Sequence, residues 1–270
     1  MRRFATALIM LSLTASVWAQ QASDSASLNP RALFEKGMNA LAGTGTSRNE
    51  QTALDSIRRS AELGYAPAQD ALGYFYETGT LAPMDTQEAL LWYRKAAEQG
   101  DRLGQWLLGR AYFTGAGTGR DPQNTERWLR QAAEQGDPFA QYLLALFKQE
   151  RNDYKAAAEW FHKAAEQGLP QSQKQLGLLL KQGRGIPENK VEAYIWLLLS
   201  FEAGNHTVAD DLKQLEAELG SNQVELVKTQ ARDRQQTVSR TVVAHGCTGW
   251  AGEFSDVPAP PPPDLQRFCR

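Results

Sequence analysis

The chain has 270 residues, 42% of them apolar and 22% charged, with 29 basic against 31 acidic side chains and a formal net charge of −2. That apolar content supports a sizeable core and excludes wholesale disorder. The balanced charge excludes the electrostatic case for a nucleic-acid binder, whose phosphate contacts need clustered Lys and Arg, and a membrane-coating role is no better motivated.

Met1-Arg2-Arg3 opens the chain, an apolar stretch runs from Phe4 to Val17, and Val17-Trp18-Ala19 follows. A basic start, a short apolar run and an A-x-A-like site predict a signal peptide over residues 1–19, cut after Ala19. Spanning a bilayer takes about 20 apolar residues, and this shorter run is broken by Thr6, Ser12, Thr14 and Ser16. The mature chain is therefore expected to hold no integral membrane span and to start with a flexible lead-in over 20–29. Export places the two cysteines, Cys247 and Cys269, in an oxidising compartment, which favours a disulfide between them.

A repeat fills the middle of the chain. Ala-Glu-Gln-Gly occurs as Ala97–Gly100, Ala133–Gly136 and Ala165–Gly168, with degenerate copies at Ala61–Gly64 and Glu202–Gly204. The closing glycines step by 36, 36, 32 and 36 residues. Gly37, Gly73, Gly109, Ala145 and Gly177 keep the same register, and so do Trp92, Trp128, Trp160 and Trp196. All three series agree on one four-residue deletion, between Ala145 and Trp160.

Each unit reads as two helices, here called A and B. In the second copy helix A is predicted over Pro67–Thr78 and helix B over Thr86–Gln99, with Gly79 and Pro83 between them. Helix B ends at Gly100, a residue suited to a left-handed cap. Leu72, Gly73 and Tyr76 share one face of helix A, and Ala89, Trp92, Tyr93, Ala96 and Ala97 share one face of helix B. One pair cannot bury both faces, so the pairs are expected to stack as a solenoid.

These residues, Ala68-x-x-x-Leu72-Gly73-x-x-Tyr76-x-x-Gly79 and then Glu88-Ala89-x-x-Trp92-Tyr93-Arg94-Lys95-Ala96-Ala97-Glu98-Gln99-Gly100, resemble the Sel-one-like repeat (SLR) family, relatives of the tetratricopeptide repeat. The resemblance implies an all-α fold, a right-handed α-solenoid of five helix-turn-helix units at 30–65, 66–101, 102–137, 138–169 and 170–204. It also implies a bacterial, exported setting, periplasmic or secreted. The fourth unit departs most, with Ala145 at the glycine position and Gln149-Glu150-Arg151-Asn152 in place of a Gly-rich loop. Residues 205–236 are expected to form C-terminal capping helices, and 237–270 an irregular, disulfide-closed tail with the polyproline run Pro258–Pro263 as a stiff spacer.

Chemistry is sparse. His162, His206 and His245 are far apart, and neither H-E-x-x-H nor Cys-x-x-Cys occurs, so no metal or cofactor is expected. Gly115-Ala116-Gly117-Thr118-Gly119 is an interhelical turn, not a phosphate loop, because no strand precedes it. Asp210-Asp211 sits in a helical context without an apolar pocket to perturb it. No catalytic residue is assigned, and the chain is not expected to be an enzyme.

The surface remains. Half a turn from the Leu-Gly core, the A helices offer Phe34 and Met38, Asp70 and Tyr74, Trp106 and Arg110, Tyr142 and Leu146, and Lys174 and Leu178. In tetratricopeptide-like solenoids this is the concave lining, and its aromatic content suits a peptide or protein ligand. Packing of these side chains against neighbouring A helices is the alternative. The expected function is an exported adaptor or regulator that binds a protein partner in the cell envelope. A cell-wall or β-lactam hydrolase, by analogy with cysteine-rich SLR relatives, and a secreted host-interaction factor are the other readings; those relatives pair cysteines within every repeat, and the repeats here hold none.

Overall fold

The computed structural model describes residues 29–43 and 47–245, of which 239–245 as backbone only. The expected signal peptide, both cysteines and the proline run lie outside them. Among the described residues the chain is all-α: α1 (Pro30–Ala42), α2 (Glu50–Glu62), α3 (Ala66–Thr78), α4 (Thr86–Glu98), α5 (Arg102–Thr114), α6 (Pro122–Glu134), α7 (Pro138–Glu150), α8 (Tyr154–Glu166), α9 (Pro170–Gln182), α10 (Lys190–Glu202), α11 (Ala209–Leu219) and α12 (Ser221–His245). A short 3-10 turn, His206–Val208, precedes α11. Odd-numbered helices up to α9 are the A helices, and even-numbered ones up to α10 the B helices.

The uniform length of these pairs follows from punctuation in the repeat. The glycine of Ala-Glu-Gln-Gly stops the B helix in the left-handed region, with φ 86° at Gly100 and 90° at Gly136. The next residue then starts the A helix, since Asp101 and Asp137 accept from the backbone N–H of Gly104 at 3.0 Å and of Ala140 at 2.8 Å. Where Leu169 replaces that Asp, α9 begins without a side-chain cap.

The chain divides into two compact units, one through Trp92 and one from Tyr93. In the first unit, α1 packs on α2 and α2 on α3, around Phe34, Met38, Ile57, Leu72 and Phe75. A side chain at Gly37 would stand 2.6 Å from Ile57 Cγ1, so the glycine is what lets α2 lie close. Ser60 Oγ donates to the Pro30 carbonyl at 2.5 Å.

In the second unit consecutive helices pack pair on pair from α5 to α10. The core runs through Leu108, Leu129, Leu144, Phe161, Leu176, Trp196 and Leu197. At Gly109 an added Cβ would lie 2.8 Å from the Leu129 side chain and 2.9 Å from its backbone nitrogen, and at Gly177 it would lie 2.7 Å from Leu197 Cγ. The A and B helices of a pair thus cross at near-contact of backbones. In the fourth pair the register sets Ala145 against the aromatic Phe161 instead of a branched aliphatic residue, and both are fully buried.

α11 and α12 pack on α10 and on each other. Tyr194 donates to Glu216 at 2.7 Å, Lys190 pairs with Glu218 at 2.9 Å and Lys181 with Asp211 at 2.8 Å. α12 continues past Gln236, where an irregular tail was expected, as far as His245. Its buried residues Val224, Val227, Ala231 and Val238 recur at helical spacing, so one apolar face carries the helix across the expected boundary.

Candidate functional site

The A-helix face is where the sequence placed the binding residues, and the structure divides them. In the first unit Asp70 is only 1% exposed and joins the core with Phe34 and Met38, while Tyr74 is half-buried beside Phe75, ring centroids 6.4 Å apart. Trp106, expected as a solvent-facing anchor, is 4% exposed: Phe139 from the start of α7 lies against it at 5.6 Å, and the Arg110 guanidinium covers it at 5.1 Å. Its indole N–H is buried with no hydrogen-bond partner among the described residues. At Trp106 the reason is that half a turn from the core glycine still faces the edge where the next A helix, α7, docks, so the large side chain fills the seam between pairs.

A narrower strip stays accessible. Arg110, Tyr142, Leu146, Lys174 and Leu178 are all half-buried. Tyr142 leans on Phe161 at 5.9 Å, and burial alone pushes its hydroxyl above the ordinary tyrosine range. Lys174 donates to Thr207 Oγ1 at 2.9 Å. Next to a half-exposed ring and two aliphatic side chains, these cations make an amphipathic surface able to take apolar side chains with a polar rim.

One set of residues escaped the sequence reading. Gln69, Gln105, Gln141 and Gln173 each donate Nε2 to the alanine carbonyl that opens the preceding Ala-Glu-Gln-Gly string, at 3.1, 3.4, 3.1 and 3.3 Å. In turn Gln135 donates to Gln105 Oε1 at 2.7 Å, and Gln167 to Gln141 Oε1 at 2.8 Å. Successive pairs are therefore stitched by a buried amide ladder. Its signal was available, because these glutamines keep the same step as the glycines, but a Gln reads as a surface residue unless its partners are known.

On the B side, α12 leaves a cleft of about 780 Å³ lined by Gln141, Lys163, Gln167, Trp196, Asp233 and Arg234, among others. Arg234 lies over the Trp196 ring at 4.9 Å and pairs with Glu192 at 2.8 Å. Trp128 and Trp160 are likewise covered by Arg127 at 4.5 Å and Lys163 at 3.9 Å. Trp128, Trp160 and Trp196 are thus cation-capped parts of the core. Among the described residues no three His, Cys, Asp or Glu side chains gather as metal ligands, and no helix is long and apolar enough to cross a membrane.

Sequence and structure comparisons agree with this architecture. The Sel1 repeat profile matches residues 30–65, 66–101, 103–137, 138–169 and 170–205. A protective antigen of uropathogenic Escherichia coli strains, displaying an SLR fold, is 31% identical with a TM-score of 0.70, covering 92% of this chain and 54% of that one. The chain thus spans about half the length of that protein. A Sel1 repeat protein from Oxalobacter formigenes is 27% identical with a TM-score of 0.64, covering 77% of this chain and 89% of that one. No curated protein matches. The chain belongs to the Sel1 repeat family, whose members generally mediate protein–protein interaction.

Proposed function

We propose that this Sel1 repeat protein is an exported scaffold of the cell envelope that binds a peptide or protein partner along the A-helix face of its second unit. The observation that carries this reading is the accessible strip of Arg110, Tyr142, Leu146 and Lys174, which joins apolar contact area to cations on a rigid helical support. Tyr142 and Leu146 are the anchors, and Arg110 and Lys174 orient carboxylates at the rim. Trp106 serves from behind by holding Arg110 in place, and the half-buried Tyr74 offers a surface of the same kind on the first unit. Cleavage after Ala19 and a Cys247–Cys269 disulfide complete the proposal; intact mass and thiol titration of protein exported in the native host test both.

The binding face is tested by site-specific photo-crosslinking from position 142 in cells of the native host. A discrete crosslinked partner, reduced about tenfold by Leu146→Ala with Arg110→Ala, supports the face. Crosslinking that is diffuse, or unchanged in a well-folded Leu146→Ala/Arg110→Ala variant, removes it.

A further inference from the structure

The four-residue deletion in the fourth pair has a consequence at the edge where the interhelical loops lie. The loops after α5, α7 and α9 run over residues 115–121, 151–153 and 183–189, so a three-residue loop stands between two of seven. The short loop closes through Asn152, a non-glycine residue in the left-handed region at φ 62°, a conformation asparagine tolerates well. Its brevity leaves a notch in the edge. The α9–α10 loop leans into it: a side chain at Gly185 would collide with the Tyr154 backbone.

Three arginines from three consecutive pairs meet at this notch. Arg120 stacks on Phe113 at 5.3 Å, Arg151 on Phe147 at 5.4 Å and Arg184 on Tyr154 at 4.0 Å. Contacts join them in a row: Arg120 pairs with Glu150 at 2.8 Å, Arg151 follows Glu150 in the chain, Asn152 Oδ1 accepts from the Tyr154 hydroxyl at 3.1 Å, and Arg184 contacts that same hydroxyl. The Arg120 fork is occupied, its Nε donating to the Phe113 carbonyl and its Nη2 to Glu150, whereas Arg184 donates one Nη to the Tyr154 hydroxyl and keeps the rest of its fork, as Arg151 keeps all of its own, for a carboxylate.

The acids nearby are already engaged. Asp121 caps α6 through the backbone N–H groups of Gln123 and Asn124, and Asp153 caps α8 through Ala156. Glu150 holds Arg120, and Glu188 faces Lys190 at 3.7 Å. Arg151 is exposed and has no hydrogen bond or ion pair to another side chain among the described residues, and Lys155 beside it is exposed as well. Arg151, Lys155 and Arg184 thus have no carboxylate partner among the described residues, because the capping Asp121 and Asp153, though still charged, are turned to backbone N–H groups.

We propose that this notch is a second docking site, taking an extended acidic peptide segment of a protein partner, with Arg151 and Arg184 as its principal contacts and Arg120 at its border. Successive pairs lie roughly one helix diameter, about 10 Å, apart, and an extended chain of the polyproline-II type advances about 3.1 Å per residue and returns every third side chain to the same face. Carboxylates at every third residue therefore match the arginine row. The site is separate from the A-helix strip and stands without it.

The test uses the full chain and a fluorescein-labelled twelve-residue probe of repeating Ser-Thr-Glu, with its Gln counterpart and an isomer that clusters the glutamates, read by fluorescence anisotropy. The Ser-Thr-Glu probe is expected to bind best. Arg151→Gln and Arg184→Gln should each weaken it about tenfold, and Arg151→Lys should not restore it, because the planar fork is lost. Arg127→Gln, on the Trp128 face, should leave affinity unchanged, and far-UV circular dichroism verifies folding of every variant. Equal binding of the Gln probe, or arginine variants within twofold of the parent, overturns the proposal; tighter binding of oligouridylate through the same arginines overturns the peptide as occupant. Tyr142→Ala/Leu146→Ala should not affect the probe, so loss of either surface is read independently of the other.

Discussion

The third and fourth helix pairs differ from the fifth in how each is tied to its neighbours. In the inner two, Gln105 and Gln141 donate to the preceding pair and accept from Gln135 and Gln167 of their own. In the fifth pair the donor position is Ala203, and Gln173 Oε1 is left buried without a partner among the described residues. What holds that end instead is a set of contacts to α11 and α12, most of them ionic: Lys181–Asp211, Lys190–Glu218, Arg234–Glu192 and the Tyr194–Glu216 bond. The repeat is thus stitched internally by neutral amides, buried where they meet the alanine carbonyls and half-buried where glutamine meets glutamine, and closed at its end by partly exposed charges. Neutral amides carry no charge for salt to screen or acid to titrate, whereas exposed ion pairs are screened and titrate.

The most severe break is Gly109→Leu, expected to cost about 3 kcal/mol or more by overpacking, because the new Cβ meets backbone as well as side chain of Leu129. Its urea midpoint should fall further than that of any glutamine variant. Next comes the ladder itself. Gln141→Leu removes the bonds to the Ala133 carbonyl, which keeps the Gly136 N–H, and from the half-buried Gln167 amide, a loss of about 1–3 kcal/mol for the two together. Gln173→Leu should cost less, since one of its two amide ends is already unpaired; equal losses at both positions would show the ladder to be no more than a packing feature.

Ala203→Gln would sharpen the contrast by restoring the missing donor, for a gain of about 1 kcal/mol. An unchanged or lowered midpoint would mean that the space beside Ala203 cannot take the longer side chain. The smallest effect is the response to acid. Lys190 holds the Glu218 carboxyl below its ordinary range, as Lys148 does for Glu126. A depressed carboxylate contributes stability above its unfolded value and loses it as pH falls through the folded one. Asp137 has the opposite sign: burial raises its carboxyl, so its penalty is present at neutral pH and fades as pH falls through the raised value. In the α5–α7 region the loss at Glu126 is opposed by the relief at Asp137, whereas nothing opposes the loss at Glu218, so hydrogen exchange between pH 6 and 3 should show α11 and α12 opening first. Simultaneous opening would erase the distinction between the two regions.

Much of this was legible in the sequence. The glycine series at 37, 109 and 177 was read as the point where helices approach, and the Cβ clashes with Ile57, Leu129 and Leu197 bear that out. The departure at Ala145 and the short loop after it were visible too. The reading failed at Trp106 and Asp70, because helical spacing says which side of a helix a residue occupies but not how wide the neighbouring helix is. Phe139 reaches over from α7 and covers a position that the spacing left open.

The sequence by itself determined the all-α character, the number of helix pairs and where each one starts and stops, because glycines, capping aspartates and apolar periodicity act within a turn or two of the chain. Packing between pairs sets which repeated polar residues are buried, which cations stack on which rings, and that a four-residue loss at one loop gathers Arg120, Arg151 and Arg184 along a single edge. Those facts depend on contacts between residues about thirty apart, where a side chain's surroundings are supplied by the next pair and not by its own sequence neighbours.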